Sequence, residues 1–350
     1  MPSPPAIRID SLVIDYPIGQ AALSGYSDWP MRVIARRLGA GFTICEVLLD
    51  QFVVNVTKGR KAKKYLRVSE EEHPVGGQLM GALPEMFPPA ALKLVEAGFD
   101  WVDLNFGCPV KKVLGKCRGG YLLSQPETAL EIVARVREAL PPTVPLSLKM
   151  RRGLDDSQKS IDDFYAIFDG ALSLGVAAIT VHGRTVRQRY TGRSSWQFLR
   201  EVKQHAGSHV VLGSGDLFTA QDCFDMIAAT GVDGVTVARG AIGNPWIFQQ
   251  TRALAGGQPL PPPPSLFAQR DVIADHYRLA EQIYGPQHAC GMMRNFGIKY
   301  SVLHPQSHEV RDAFIRVRNP QHWEDVLRQW YAEDRPGRCF ERPTREEPAA

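Results

Sequence analysis

WVDLNFGCPVKKVLGKCRGGYLL, residues 101–123, begins as a buried strand and ends as a cation-rich turn. Trp101, Val102 and Leu104 are apolar, and Asn105 stands where the strand runs out. Gly107, Cys108 and Pro109 then force a sharp exit, because glycine relaxes the backbone and proline cannot rejoin a sheet. A thiol is thereby delivered to the mouth of a strand beside a carboxamide. Lys111, Lys112, Lys116 and Arg118 follow, and then the pair Gly119 and Gly120. A reactive group, a polar orienter and a patch for an anion share one turn.

On either side the same strand-then-turn pattern repeats. Strand-like runs fall at Ala21–Ser24, Phe42–Val47, Val75–Met80, Trp101–Asn105, Pro145–Met150, Ala178–His182, His209–Gly213 and Gly234–Ala238. Apolar positions three and four apart predict helices between them, at Met86–Ala97, Thr128–Leu140, Asp162–Leu174, Trp196–His205 and Ala220–Thr230. Short apolar strands of this kind belong to a buried parallel sheet. A doubly wound sheet gives a similar string, but eight units and polar residues at the strand ends favour a closed barrel. Those residues are Glu46, Gln78, Asn105, Lys149, His182, Asp216 and Arg239; in such barrels the C-terminal rim carries the chemistry. The fold class expected is α/β, a (β/α)8 TIM barrel followed by a small C-terminal helical domain.

Residues 7–18, IRIDSLVIDYPI, alternate as a short hairpin or barrel plug would. The catalytic barrel is expected to span 1–255. Residues 256–264, GGQPLPPPP, read as a stiff linker. Amphipathic stretches at Leu266–Tyr284, Met292–Leu303, Val310–Val317 and His322–Tyr331 place a helical domain at 265–335. The polar, Pro-rich remainder, 336–350, is expected to fray.

A chain of 350 residues that is 44% apolar buries a sizeable core, and a net charge of +4 does not by itself argue for nucleic acid. The six cysteines are scattered, without CxxC or zinc spacing, which predicts free thiols in a reducing compartment and no metal. The N-terminus has no apolar leader and no run is long enough to span a bilayer, so a cytoplasmic location is expected.

Gly213-Ser214-Gly215-Asp216 and Ala238-Arg239-Gly240 lie after the seventh and eighth strands, where barrels hold a phosphate. Gln78 can donate to and accept from a flat heterocycle edge. Lys149 in an apolar strand needs a partner or a wet site, and His182 ends the sixth strand. Most cysteines are small buried hydrophobes. The flanking glycine and proline nonetheless favour Cys108 as a functional thiol over Cys117, which belongs to the loop. Cations gather at Lys58–Arg67, Lys111–Arg118 and Arg184–Arg193, all leaving one rim, and again from Arg294 to Arg318. Summed into one field, they suit a polyanion better than a small metabolite.

At these residues the chain resembles the tRNA-dihydrouridine synthases, FMN-dependent barrels with a helical tRNA-binding domain, in the bacterial branch with an N-terminal hairpin. The resemblance rests on GYSDWPMR (25–32), EEHPVGGQLMG (71–81), DLNFGCPVKKV (103–113), SLKMR (147–151), TVHGRT (180–185), GSGD (213–216) and ARGAIGNPWIF (238–248), and more loosely on MRNFGIKY (293–300). It implies reduction of the C5=C6 bond of uridine in tRNA, with NADPH or NADH as transient reductant. Hydride would come from reduced FMN, and the proton from Cys108 as the catalytic acid. By the same resemblance FMN is held by Ala22, Leu23, Ser24, Gln78, Lys149, His182, Ser214, Gly215, Asp216, Arg239 and Gly240, and the substrate by Asn105, Lys149, His182 and Arg184. Gly76-Gly77 departs from the bulkier residues usual there, and a looser strand is expected. The alternatives are an FMN-dependent reductase of a small pyrimidine-like metabolite, and a tRNA-binding protein that keeps the fold without the chemistry.

Overall fold

The computed structural model describes residues 3–57 and 59–342, so Lys58 and residues 343–350 of the polar tail lie outside the described residues. Two short strands, β1 (Ile7–Ile9) and β2 (Leu12–Ile14), pair antiparallel as a hairpin. The remaining strands are β3 (Ile18–Gln20), β4 (Thr43–Ile44), β5 (Leu48–Leu49), β6 (Val75–Met80), β7 (Trp101–Phe106), β8 (Leu146–Arg151), β9 (Ala178–His182), β10 (Val210–Ser214) and β11 (Gly234–Val237). All pair in parallel. β11 pairs with β3, β3 with β4 and β4 with β6, which closes the cylinder. β4 and β5 are the two halves of one staggered position, both laddered to β6, so the barrel has eight positions, as the repeat predicts.

The first barrel strand is Ile18–Gln20, three residues before the run expected at Ala21–Ser24. Those four residues instead form the turn leaving the rim, begun by Ala21 N–H donating to Val237 O at 2.9 Å.

Alternation decides what fills the cylinder. Phe42, Ile44, Trp101, Ala178 and Leu212 point inward at the lower end and meet Ile7, Ile9 and Ile14 of the hairpin, which plugs that end. Above them the inward positions turn polar, with Gln78, Asp103, Ser147 and Thr180 all buried. The Trp101 indole sits where a side chain at Gly76 would be: a Cβ there would lie 2.4 Å from the ring. On the outer face a Cβ at Gly77 would meet Leu94 and Phe99. The looser strand expected at Gly76-Gly77 is therefore not found; bulk has moved from β6 to its neighbours, and every residue of β6 is buried. Gly76→Ala should cost about 1–3 kcal/mol, the usual toll of overpacking, read as a lower urea midpoint. An unchanged midpoint would mean that the indole gives way freely.

Helices are started by side-chain caps: Asp28, Ser157, Ser195, Thr219, Ser265 and Asn319 each accept a first-turn N–H. After the linker come helices Leu266–Tyr284, Pro286–Tyr300, Ser307–Arg316 and Pro320–Trp330. The first docks beside the rim, where the Tyr284 hydroxyl donates to Asp28 Oδ2 at 2.7 Å and Arg37 pairs with Asp275. Tyr26 meets Phe296 edge-on at 5.5 Å, on the same side. The tail expected to fray from 336 is held as far as 342: Arg338 N–H donates to Leu303 O, and Arg342 pairs with Asp222 at 2.6 Å. No helix among the described residues is long and apolar enough to cross a membrane.

Candidate active site

β7 ends at Phe106, and the turn beyond it is fastened by Asn105. Its Oδ1 accepts the N–H groups of Gly107 (3.0 Å) and Cys108 (3.1 Å). The next loop folds back over this turn, with Gly120 N–H donating to Cys108 O at 3.1 Å. Gly119 adopts φ +57°, and a Cβ there would sit 2.8 Å from that of Cys108; only glycine lets the loop approach so closely. Cys108 is half-buried. Burial pushes its thiol pKa up, against the Val110 N–H and the Arg151 guanidinium, so it keeps its proton at neutral pH. Cys117 is exposed on the loop, with φ +55°.

Gln78 and Asn105 face each other across β6 and β7. Asn105 Nδ2 donates to Gln78 Oε1 at 2.7 Å, and Gln78 Nε2 donates to Asp103 Oδ2 at 2.5 Å. The Ser147 hydroxyl donates to the other oxygen of Asp103. Gln78 is wholly buried, so its edge is spent inside the barrel rather than offered at the mouth, as the sequence led us to expect. Asn105 likewise holds the turn, with its oxygen taken by two N–H groups.

Lys149 and His182 remain partly open to solvent at the mouth. Burial pushes the Lys149 ammonium down to about 8, Asp103 resists, and Arg151 adds to the fall. Burial also holds His182 well below its usual range, helped by Arg151, Lys149, Arg184 and Arg239, so its imidazole is neutral. Arg151, which the sequence reading passed over inside SLKMR, is 4% exposed. It donates to Gly107 O (2.9 Å), Thr185 O (2.9 Å) and Arg189 O (2.6 Å), tying the thiol's turn to the loop after β9. The alternation Ser147, Lys149, Arg151 was the signal that could have found it.

On the far side of the mouth, Gly215 (φ +115°) and Asp216 (φ +59°) follow the buried Ser214. Arg184 Nη2 reaches both Asp216 oxygens at 2.8 Å, Ser194 N–H reaches one at 2.8 Å, and Arg239 lies 3.6 Å away. Arg184 also donates to Gly192 O and is buried. It therefore braces the loop instead of standing free for substrate. Arg239 is partly exposed and lies over the rings of Tyr190 (4.8 Å) and Phe218 (5.2 Å). Gly240 packs on the preceding loop, where a Cβ would fall 2.1 Å from Leu217 O. Two guanidiniums against one carboxylate leave net positive charge between the two glycine turns. Ala22, Leu23 and Ser24 lie on the first rim turn, with Leu23 N–H donating to Ser27 Oγ at 2.7 Å. This set suits an electron-rich planar ring with an anionic tail: donors at Lys149 and His182, and a cation at Arg239. Among the described residues no group of three His, Cys, Asp or Glu side chains gathers to hold a metal.

A family model described as dihydrouridine synthase (Dus) matches residues 20–334. Among curated proteins, a probable tRNA-dihydrouridine synthase of Rickettsia conorii is 31% identical over 325 residues, which is 93% of this chain and 96% of the relative. A tRNA-dihydrouridine synthase B of Xanthomonas campestris pv. campestris is 31% identical over 301 residues, 86% and 88% of the two chains. Solved structures of the same fold include histamine dehydrogenase from Rhizobium sp. 4-9, at TM-score 0.56 and 15% identity, over 83% of this chain and 50% of that one. A 2-naphthoyl-CoA reductase matches at TM-score 0.53 and 12% identity, over 73% and 52%.

Proposed function

The chain belongs to the dihydrouridine synthase family, which makes it an oxidoreductase, and from that premise we propose that it reduces the C5=C6 bond of uridine in tRNA. The observation that carries this reading is a half-buried, protonated thiol fastened at the barrel mouth by backbone bonds, with Lys149 and His182 as the accessible donors of the same rim. Bound FMN, reduced by NADPH or NADH, would supply the hydride that uracil takes at C6. Lys149, His182 and Arg239, with the Ser214–Asp216 and first-strand turns, would hold it. Negative charge then gathers toward O4 of the uracil, where the Lys149 ammonium and the neutral His182 ring can donate. Cys108 Sγ gives its proton to C5 and regains one from water. Hydride and proton together make the two-electron reduction. Barrel residues 1–255 perform the chemistry, and the helical region 265–335, hung on the 256–264 linker, grips the tRNA in the cytoplasm.

The test is twofold. Purified protein should carry a releasable flavin, and tRNA from cells lacking the protein should lose dihydrouridine at defined positions. A protein that cannot be loaded with flavin, or an unchanged dihydrouridine map, would defeat the proposal. Turnover should also fall as pH rises through about 8, because the lowered Lys149 pKa makes the ammonium available only below it. A rate still flat at pH 9 would remove Lys149 from the donors.

A further inference from the structure

Asp103 has no part in the chemistry proposed above, yet it lies at the foot of a directional chain. Both oxygens of Asp103 accept, one from the Ser147 hydroxyl and the other on the side of Gln78. The Gln78 carboxamide facing it must therefore present its N–H2, which it does at 2.5 Å. That choice points Gln78 Oε1 toward Asn105, which must answer with Nδ2, at 2.7 Å. Asn105 is then left with Oδ1 toward the turn, where it takes the N–H groups of Gly107 and Cys108. Reversing either carboxamide would set N–H against N–H, or oxygen against oxygen, in a buried site, at the cost of unmade bonds. Ser147, donating to the second oxygen, fixes the carboxylate itself.

We propose that Asp103 is a positioning residue for Cys108: its buried carboxylate sets which way the Gln78 and Asn105 carboxamides face, and through them holds the turn that carries the thiol. The catalytic consequence rests on Cys108 being the proton donor; the positioning itself does not.

Alkylation of the full chain by iodoacetamide, without tRNA or reductant, separates the two. Cys108 is followed by peptide mass spectrometry with the exposed Cys117 as reference in the same molecule. Asp103→Leu should raise the Cys108-to-Cys117 rate ratio at least about fivefold, because a loosened turn exposes the thiol. It should also lower kcat on tRNA about tenfold with KM unchanged, as lost positioning does. Asp103→Asn, whose oxygen can still face Gln78 and whose N–H2 can face Ser147, should keep the ratio within about twofold. A ratio unmoved in Asp103→Leu overturns the proposal, and so does one raised equally by Asp103→Asn. If Asp103→Leu does not fold, seen as alkylation of buried Cys223, Gln78→Met cuts the chain one link later. It should raise the ratio likewise, and an unmoved ratio there is equally fatal. A parent protein that leaves uridine intact while Asp103→Leu raises the ratio would refute the proposed reaction and keep the positioning.

Discussion

Cys108→Ala should bind tRNA as the parent does and leave its uridine unreduced, with single-turnover rates about 10²–10⁴-fold lower, the usual share of a positioned acid. The substitution is clean because the turn is held by its backbone. Asn105 grips two N–H groups and Gly120 grips the Cys108 carbonyl, and alanine keeps all three bonds. What goes is the proposed proton source. Burial favours the uncharged thiol, the form a donor needs before the reaction. Turnover within about threefold of the parent would be too small a change for a lost general acid and would hand the proton to another group.

Affinity for tRNA should fall steeply with salt. Lys63, Lys111, Lys112, Lys116, Arg189 and Arg193 are exposed on segments that leave the rim, and none forms an ion pair among the described residues. Six phosphate contacts imply a loss of about 10³-fold between 50 and 200 mM salt. By sequence alone every cation in these clusters counts alike. Arg184 is spent on Asp216 and Arg187 on Asp155, which lowers the expected slope. Filter binding over that range is the measurement. A log–log slope shallower than about −1 would mean that the clusters face solvent and touch no backbone.

Strands buried on both sides were legible nearly to the residue: Val75–Met80 and Ala178–His182 fall where their apolar runs do. β3 was misplaced because its middle residue, Gly19, is small for a packing reason, the Phe42 ring lying against it, and such glycines read as loop. The candidate site was legible as a set of strand-end residues but not as a division of labour. By sequence Gln78, Asn105 and Arg184 belong with the ligand-facing residues. They proved to be engaged with neighbours, because hydrogen-bond partners come from strands distant in sequence. Asp103 and Arg151 went unnoticed for the same reason, although every second residue of WVDLNF and of LSLKMR is the inward one. The docking of Tyr284 on Asp28 joins positions 256 residues apart, and no local pattern encodes it.

The hairpin at the foot of the cylinder has a bearing on traffic. With Ile7, Ile9 and Ile14 stoppering the lower opening, the described residues leave the interior open toward the upper doorway. On the reaction proposed above, a bulky nucleic acid and an electron-carrying dinucleotide would compete for that doorway, each leaving before the other enters.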